Sequence, residues 1–214
     1  TTTRLRGLLA SGRLVVAPFC LNALHAKIAE AAGFEAVYMT GAGTAAERGF
    51  PDVGLLTQTE MVHNARFIAR AVSVPVVCDA DTGYGNPLNV IRTINELIAA
   101  GAAGCFLEDQ IWPKRCGHMR GKKVIDRTEY INKIRAADEA RAGRDFFIVA
   151  RTDALAAVTR ACGEWVPLGQ AASVLPPPPA PSRRRQVVSL PGKSQADIVY
   201  GFTTIPRSDP AYYS

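Results

Sequence analysis

The sequence predicts an α/β fold: a (βα)8 TIM-barrel-type parallel barrel, incomplete, followed by an irregular Pro-rich C-terminal tail. Three observations predict it. Strand-like and helix-like segments alternate from residue 14 to residue 153, which implies parallel strands joined by right-handed crossovers. Polar residues recur at the C-terminal ends of the strand-like segments: Thr40-Gly41, Asp79 with Asp81, Glu108-Asp109, and Arg151 with Asp153. A βα barrel carries its active site at that end. Finally, Gly41-Ala42-Gly43 lacks the third glycine of a dinucleotide fingerprint, which favours the barrel over an open doubly wound sheet.

The elements follow in order. Thr1 to Arg13 is basic and lacks acids, a faint transit-peptide character, but it runs directly into domain-like sequence and reads as an N-terminal helix. Leu14–Pro18 is the first predicted strand, and Ala23–Ala32 is a helix that stops at Gly33. Ala36–Thr40 is the second strand, followed by a Gly-rich loop. Thr57-x-x-Glu60 is a capping box that opens a helix through Ala71. Pro75–Ala80 is the third strand. Pro87–Ala100 is a helix with proline in its first turn and Gly101 past its end. Gly104–Glu108 is the fourth strand, Asp126-x-x-Glu129 starts the next helix, and Phe146–Arg151 is the fifth strand.

The pattern changes near residue 156, so two regions are predicted: 1–156, part of a barrel, and 157–214, a Pro/Arg-rich tail. The tail holds nine of the fourteen prolines, including Pro176 to Pro179, and then Arg183-Arg184-Arg185. Such composition is a poor candidate for a packed core. Ala196–Tyr200 is its one strand-like run. An eight-stranded barrel takes about 250 residues, and only five strands appear by residue 151.

Bulk properties exclude some functions. The net charge of +6 is spread thinly, without interleaved aromatics, so no nucleic-acid partner is expected. No apolar run is long enough to span a membrane. Five cysteines without paired spacing read as thiols of a reducing compartment, not as disulfides or a zinc site. A cytoplasmic or mitochondrial, non-secreted protein is expected.

Four motifs carry the chemistry. Asp79 and Asp81 in DADTGYG place two carboxylates at one strand end, which suits Mg²⁺ with its retained waters; the alternative is an Asx-type turn. Cys116 in KRCGH lies beside Lys114, Arg115 and His118. Cations stabilise a thiolate and can bind carboxylates; the alternative is a surface loop. Arg151, ending a buried strand, either pairs with Glu108 or Asp153 or grips a substrate carboxylate. The loop at Tyr38-Met39-Thr40-Gly41-Ala42-Gly43 could form a backbone anion nest.

Together YMTGAGTAAERGFPDVGLLT, VCDADTGYGN, FLEDQIWPKRCGH and VARTDALA resemble the isocitrate lyase / phosphoenolpyruvate mutase superfamily, in its 2-methylisocitrate lyase-like branch, over about Leu5 to Ala156. The resemblance implies Mg²⁺-dependent chemistry, or Mn²⁺ in its place, on small 2-hydroxy or 2-oxo carboxylates. It places Asp79 and Asp81 at the metal, with Asp52 and Glu108 supporting its water shell. Thr40, Gly41 and Ala42 would bind the 2-oxo acid end, where relatives often have Ser-Gly-Gly. Arg151 would bind the same end. Lys114, Arg115, Cys116, Gly117 and His118 would form a mobile gate, with Cys116 as proton donor and Tyr38 as a base. A homo-oligomer, tetrameric in relatives, is implied. Alternatives within the resemblance are an oxaloacetate hydrolase, a phosphonomutase-type enzyme, or a non-catalytic member.

Overall fold

The computed structural model describes residues 2–116, 119 and 121–154. The chain divides into two units, Thr1–Glu164 and Trp165–Ser214, and every described residue belongs to the first. The predicted tail 157–214, its strand-like run at 196–200, and the site candidates Gly117 and His118 lie outside the described residues.

Helix α1 (Thr2–Ala10) buries Leu5 and Leu8. Arg6 pairs with Asp145 at 2.6 Å and lies over the Phe147 ring, tying the helix to the chain just before the last strand. Strand β1 (Phe19–Cys20) is followed by α2 (Ala23–Ala31), β2 (Val37–Met39), α3 (Gly41–Glu47), α4 (Gln58–Ala71) and β3 (Val76–Asp79). The order continues with α5 (Pro87–Ala100), β4 (Gly104–Glu108), α6 (Arg127–Arg141) and β5 (Phe147–Arg151). All pairings are parallel, in the sequential order β1-β2-β3-β4-β5. These are consecutive βα units of the barrel type the sequence predicts.

Local chemistry explains the boundaries. Thr57 and Glu60 form the reciprocal capping box at the start of α4. Asn86 caps α5, Pro87 opens it, and Gly101 closes it in the left-handed conformation. Asp126 caps α6 by accepting from the Thr128 and Glu129 amides.

Two elements differ from expectation. The first strand is Phe19–Cys20, not Leu14–Pro18. Pro18 has no N–H to donate; its carbonyl accepts from the Tyr38 amide, and the ladder begins after it. Leu14 is left 91% exposed. The Gly-rich loop after β2 is a helix, α3, because the Thr40 hydroxyl accepts from the Gly43 amide and caps it.

Alternation along the strands creates two faces. Cys20, Val37, Met39, Val76, Cys78, Cys105 and Leu107 point towards the helices and are fully buried with Ile68, Ile94 and Leu97. The other parity carries Phe19, Tyr38, Asp79, Phe106, Glu108 and Arg151, with Tyr38 edge-on to Phe106 at 5.2 Å. The chemically useful residues therefore share the face away from the helices.

Candidate active site

The rim at the C-terminal strand ends is built around Asp79. Its Oδ2 accepts from the Gly41 amide at 3.2 Å and its Oδ1 from the Asp81 amide at 3.0 Å. A Cβ on residue 41 would lie 2.7 Å from Asp79 Oδ2, so only glycine allows this approach. The Gly41 N–H is thus engaged by a carboxylate of the chain itself, that of Asp79. Thr40 is the cap of α3 and Ala42 lies half-buried in its first turn. The buried Asn64 side chain locks this corner, donating to the Leu21 carbonyl and the Thr44 hydroxyl.

The turn after β3 brings Asp81 under the rim with φ +46°. Asp81 is 4% exposed, its Oδ2 accepts from the Tyr84 hydroxyl at 3.3 Å, and its backbone carbonyl accepts from the Glu108 amide at 2.8 Å. Burial, then the nearby Asp79 charge, pushes the Asp81 carboxyl up to about 6. The buried Lys133 ammonium donates to the Thr82 carbonyl at 3.2 Å and supports the turn from α6.

Lys114 is placed differently from expectation. Its ammonium, 5% exposed, pairs with Asp52 and lies 2.8 Å from Asp81 Oδ1. Burial opposes the charge, but Asp81 and Asp79 outweigh it and raise the Lys114 pKa. Lys114 is therefore a tethered counter-ion of the carboxylates here, not a free anion-binding cation. A residual cavity of about 10 Å³ lies between Asp52, Asp81 and Lys114; a single water needs at least about that much.

Glu108 is 4% exposed and pairs with Arg151 at 3.1 Å. Burial raises its carboxyl to about 7 against the opposing pull of Arg151. Arg151 also meets Asp153 at 3.0 Å, so the structural pairing with Glu108 or Asp153 is realised with both. The Arg151 side chain remains about a third exposed and reachable from solvent. Asp153 takes a second cation, Lys122, at 2.6 Å, and its amide donates to Asp109.

Tyr38 lies between the Phe19 and Phe106 rings. Burial, reinforced by the Asp79 charge, raises its pKa far above the ordinary phenol value. Without a metal this environment favours the neutral phenol; a cation on Asp79 and Asp81 would offset the part of the shift that their charges cause. Arg115 begins the excursion that carries Cys116, which is half-exposed, unlike the buried Cys20, Cys78 and Cys105.

Besides Asn64 and Lys133, sequence reasoning missed further contributors. Gln110, 2% exposed, joins Glu108 to the Arg115 backbone. Tyr84 contacts Asp81, and Trp112 packs on Tyr84 and against Gly54. The Tyr130 hydroxyl shares its one hydrogen between the carbonyls of Leu107 and Arg151, at 2.7 and 2.9 Å, and so bridges two strand ends. Gln110, adjacent to Glu108-Asp109, and Tyr84, inside DADTGYG, carried a signal.

The fit to a divalent cation rests on Asp81 Oδ1, which is buried, accepts no hydrogen bond, and has the Lys114 ion pair as its compensation. Among the described residues no group of three or more His, Cys, Asp or Glu is arranged to hold a metal. A site of two carboxylates completed by water and substrate oxygens is the arrangement Mg²⁺ accepts.

The strand ends of this barrel-type βα sheet carry paired carboxylates, an Arg–Glu pair and an adjacent thiol segment. Residues 5–167 match the phosphoenolpyruvate phosphomutase family model, and the chain belongs to that family within the isocitrate lyase superfamily. It is 51% identical over 155 residues to 2,3-dimethylmalate lyase of Eubacterium barkeri, covering 72% of this chain and 54% of that one. It is 47% identical over 150 residues to a probable 2-methylisocitrate lyase of Corynebacterium glutamicum, covering 70% and 49%. The solved phosphonopyruvate hydrolase complex with oxalate and Mg²⁺ superposes with a TM-score of 0.67 at 38% identity, covering 73% and 53%. The chain spans about half the length of the relatives it matches.

Proposed function

We propose that this chain supplies the metal and gating half of a Mg²⁺-dependent carbon–carbon lyase acting on a methylisocitrate-like 2-hydroxy di- or tricarboxylate. The products would be a 2-oxo acid and a dicarboxylate. One observation carries the reading: Asp79, Asp81, Glu108 and Arg151 share one rim, and Lys114 ties the Cys116 segment to it.

Asp79 and Asp81 would hold Mg²⁺, which polarises the substrate oxygens as a Lewis acid. Asp52 and Glu108 would orient its waters. Arg151 would grip the 2-oxo acid end, beside Thr40, Gly41 and Ala42. Tyr38 would be the base that takes the substrate hydroxyl proton as the carbon–carbon bond breaks, its phenolate favoured by the charge of the bound cation. Cys116 would return a proton to the departing enolate-like fragment, with Lys114, Arg115, Gly117 and His118 closing around it to exclude water. The small carboxylate substrate and a homo-oligomeric assembly belong to the same proposal.

The experiment is an assay of aldol cleavage of 2-methylisocitrate and 2,3-dimethylmalate and of hydrolysis of oxaloacetate, with and without Mg²⁺. Turnover requiring Mg²⁺ is expected, and Cys116→Ser should nearly abolish it. Near-normal turnover by Cys116→Ser sinks the assignment. Binding of Mg²⁺ and oxalate without turnover of any substrate leaves a non-catalytic binding role.

A further inference from the structure

We propose that Gln110 is a positioning residue for the thiol: it passes the location of the Glu108 carboxylate to the backbone that carries Cys116. The inference rests on the active-site reading above and extends it to a residue with no direct reach to substrate.

The geometry is specific to a glutamine. The side-chain Nε2 donates to Glu108 Oε1 at 3.1 Å and to the Arg115 carbonyl at 3.0 Å. The Arg115 amide donates back to Gln110 Oε1 at 3.0 Å. Both amide hydrogens and the carbonyl are used, and the ring closed on Arg115 is the pairing two peptide groups make. The orientation is fixed by the network, since the Arg115 N–H can only donate. An Asn is one methylene too short to span it, and a Glu would set a second carboxylate against Glu108.

The position of Gln110 in the chain matters as much. It sits in the stem of the excursion, bridged antiparallel to Val124. The Ile111 amide donates to the Lys123 carbonyl and the Ile125 amide to the Asp109 carbonyl, both at 2.8 Å. The excursion therefore leaves the rim through a closed stem. Cys116 follows Arg115 directly, so its backbone starts about 3.8 Å, one residue, beyond the clamped point. Any shift of Glu108 on metal binding reaches the thiol through this amide.

The test is peptide-mapped iodoacetamide labelling of the full chain as wild type, Gln110→Ala and the volume-matched Gln110→Met. Each is run without metal and with Mg²⁺ plus oxalate. In the variants, metal-free labelling of Cys116 should rise roughly fivefold, the opening cost a net hydrogen bond supplies. Cys78 and Cys105, both fully buried, should stay unlabelled. Protection of Cys116 by Mg²⁺ and oxalate, expected in the wild type, should be lost.

Equal Cys116 rates in all three proteins overturn the proposal. Labelling of Cys78 and Cys105 alongside Cys116 in both variants also overturns it, because that reports general loosening. If the wild type binds neither Mg²⁺ nor oxalate while the variants still show the Cys116-specific rise, the metal reading fails and the positioning role stands.

Discussion

The turn after β3 and the excursion after β4 stand on the same rim but are held by different means. In the turn, the backbone path is set locally, and Gly41, Lys133 and Lys114 brace it from outside. Asp79 accepts from the Asp81 amide, the Gly83 amide donates to the Ala80 carbonyl, and Asp81, Gly83, Tyr84 and Gly85 all take positive φ before the Asn86 cap. In the excursion the ion pairs come from afar, since Lys114 reaches Asp52, 62 residues away, and Asp81, while Gln110 clamps Arg115 from within the same segment. The turn presents its carboxylates pre-organised. The excursion keeps a hydrogen-bonded stem, but the ion pairs that dock it on the rim are ones a competing cation or anion can replace. That division suits a fixed metal site served by a displaceable thiol segment.

The sharpest way to break this comparison is Lys114→Met. It leaves Asp52 and Asp81 without their counter-ion in a nearly dry site. Removing one partner of a buried pair costs about 3–5 kcal/mol, to be read by urea denaturation without metal. Mg²⁺ should restore more stability to this variant than to the wild type. An unchanged denaturation midpoint would mean the excursion is held by something other than this charge pair.

A smaller effect is expected from Gly83→Ala, which attacks the turn alone. Gly83 has φ +85°, and an added Cβ would lie 2.5 Å from Val90 Cγ2. The strain should cost about 1–3 kcal/mol, and the thermal shift produced by Mg²⁺ should shrink while Cys116 labelling stays as in the wild type. If labelling of Cys116 rises with it, the two regions are not independent.

A third test is the pH dependence. Asp81 and Glu108 have folded pKa values of about 6 and about 7, above the ordinary carboxylate range. Between that range and pH 7 the folded state holds more protons than the unfolded chain, so stability falls as pH rises through this window. Their contribution is greatest below it. Mg²⁺ must displace those protons, so its apparent affinity should weaken as pH drops from 8 to 6, measured by calorimetry. A pH-independent affinity would separate the metal from both carboxylates.

Much of the fold was legible because its signals are local. The Thr57–Glu60 box, the Pro87–Gly101 frame and the Gly104–Glu108 strand stand where sequence placed them. The first strand was misplaced because its limit is set by a partner: Pro18 accepts from Tyr38, a contact between strands. The Gly41–Gly43 loop was misread because glycines weaken a helical pattern, while the Thr40 cap and the close approach to Asp79 decided for one. In the site, Asp79, Asp81, Glu108 and Arg151 were visible as strand-end polars. Tyr130 and Lys133 were not, since each looks like an ordinary residue of α6 until the helix packs.

The sequence alone determined the alternation of elements, the capping of the main helices and the end of the sheet that carries charge, because each depends on neighbours within a few positions. It also placed Cys116 among cations. Only the tertiary structure decided which charges meet. Lys114 pairs with Asp52 and Asp81, and Arg151 with Glu108 and Asp153. The physical reason is that a buried ion pair is set by distance in three dimensions and by desolvation, neither of which is written in the spacing along the chain.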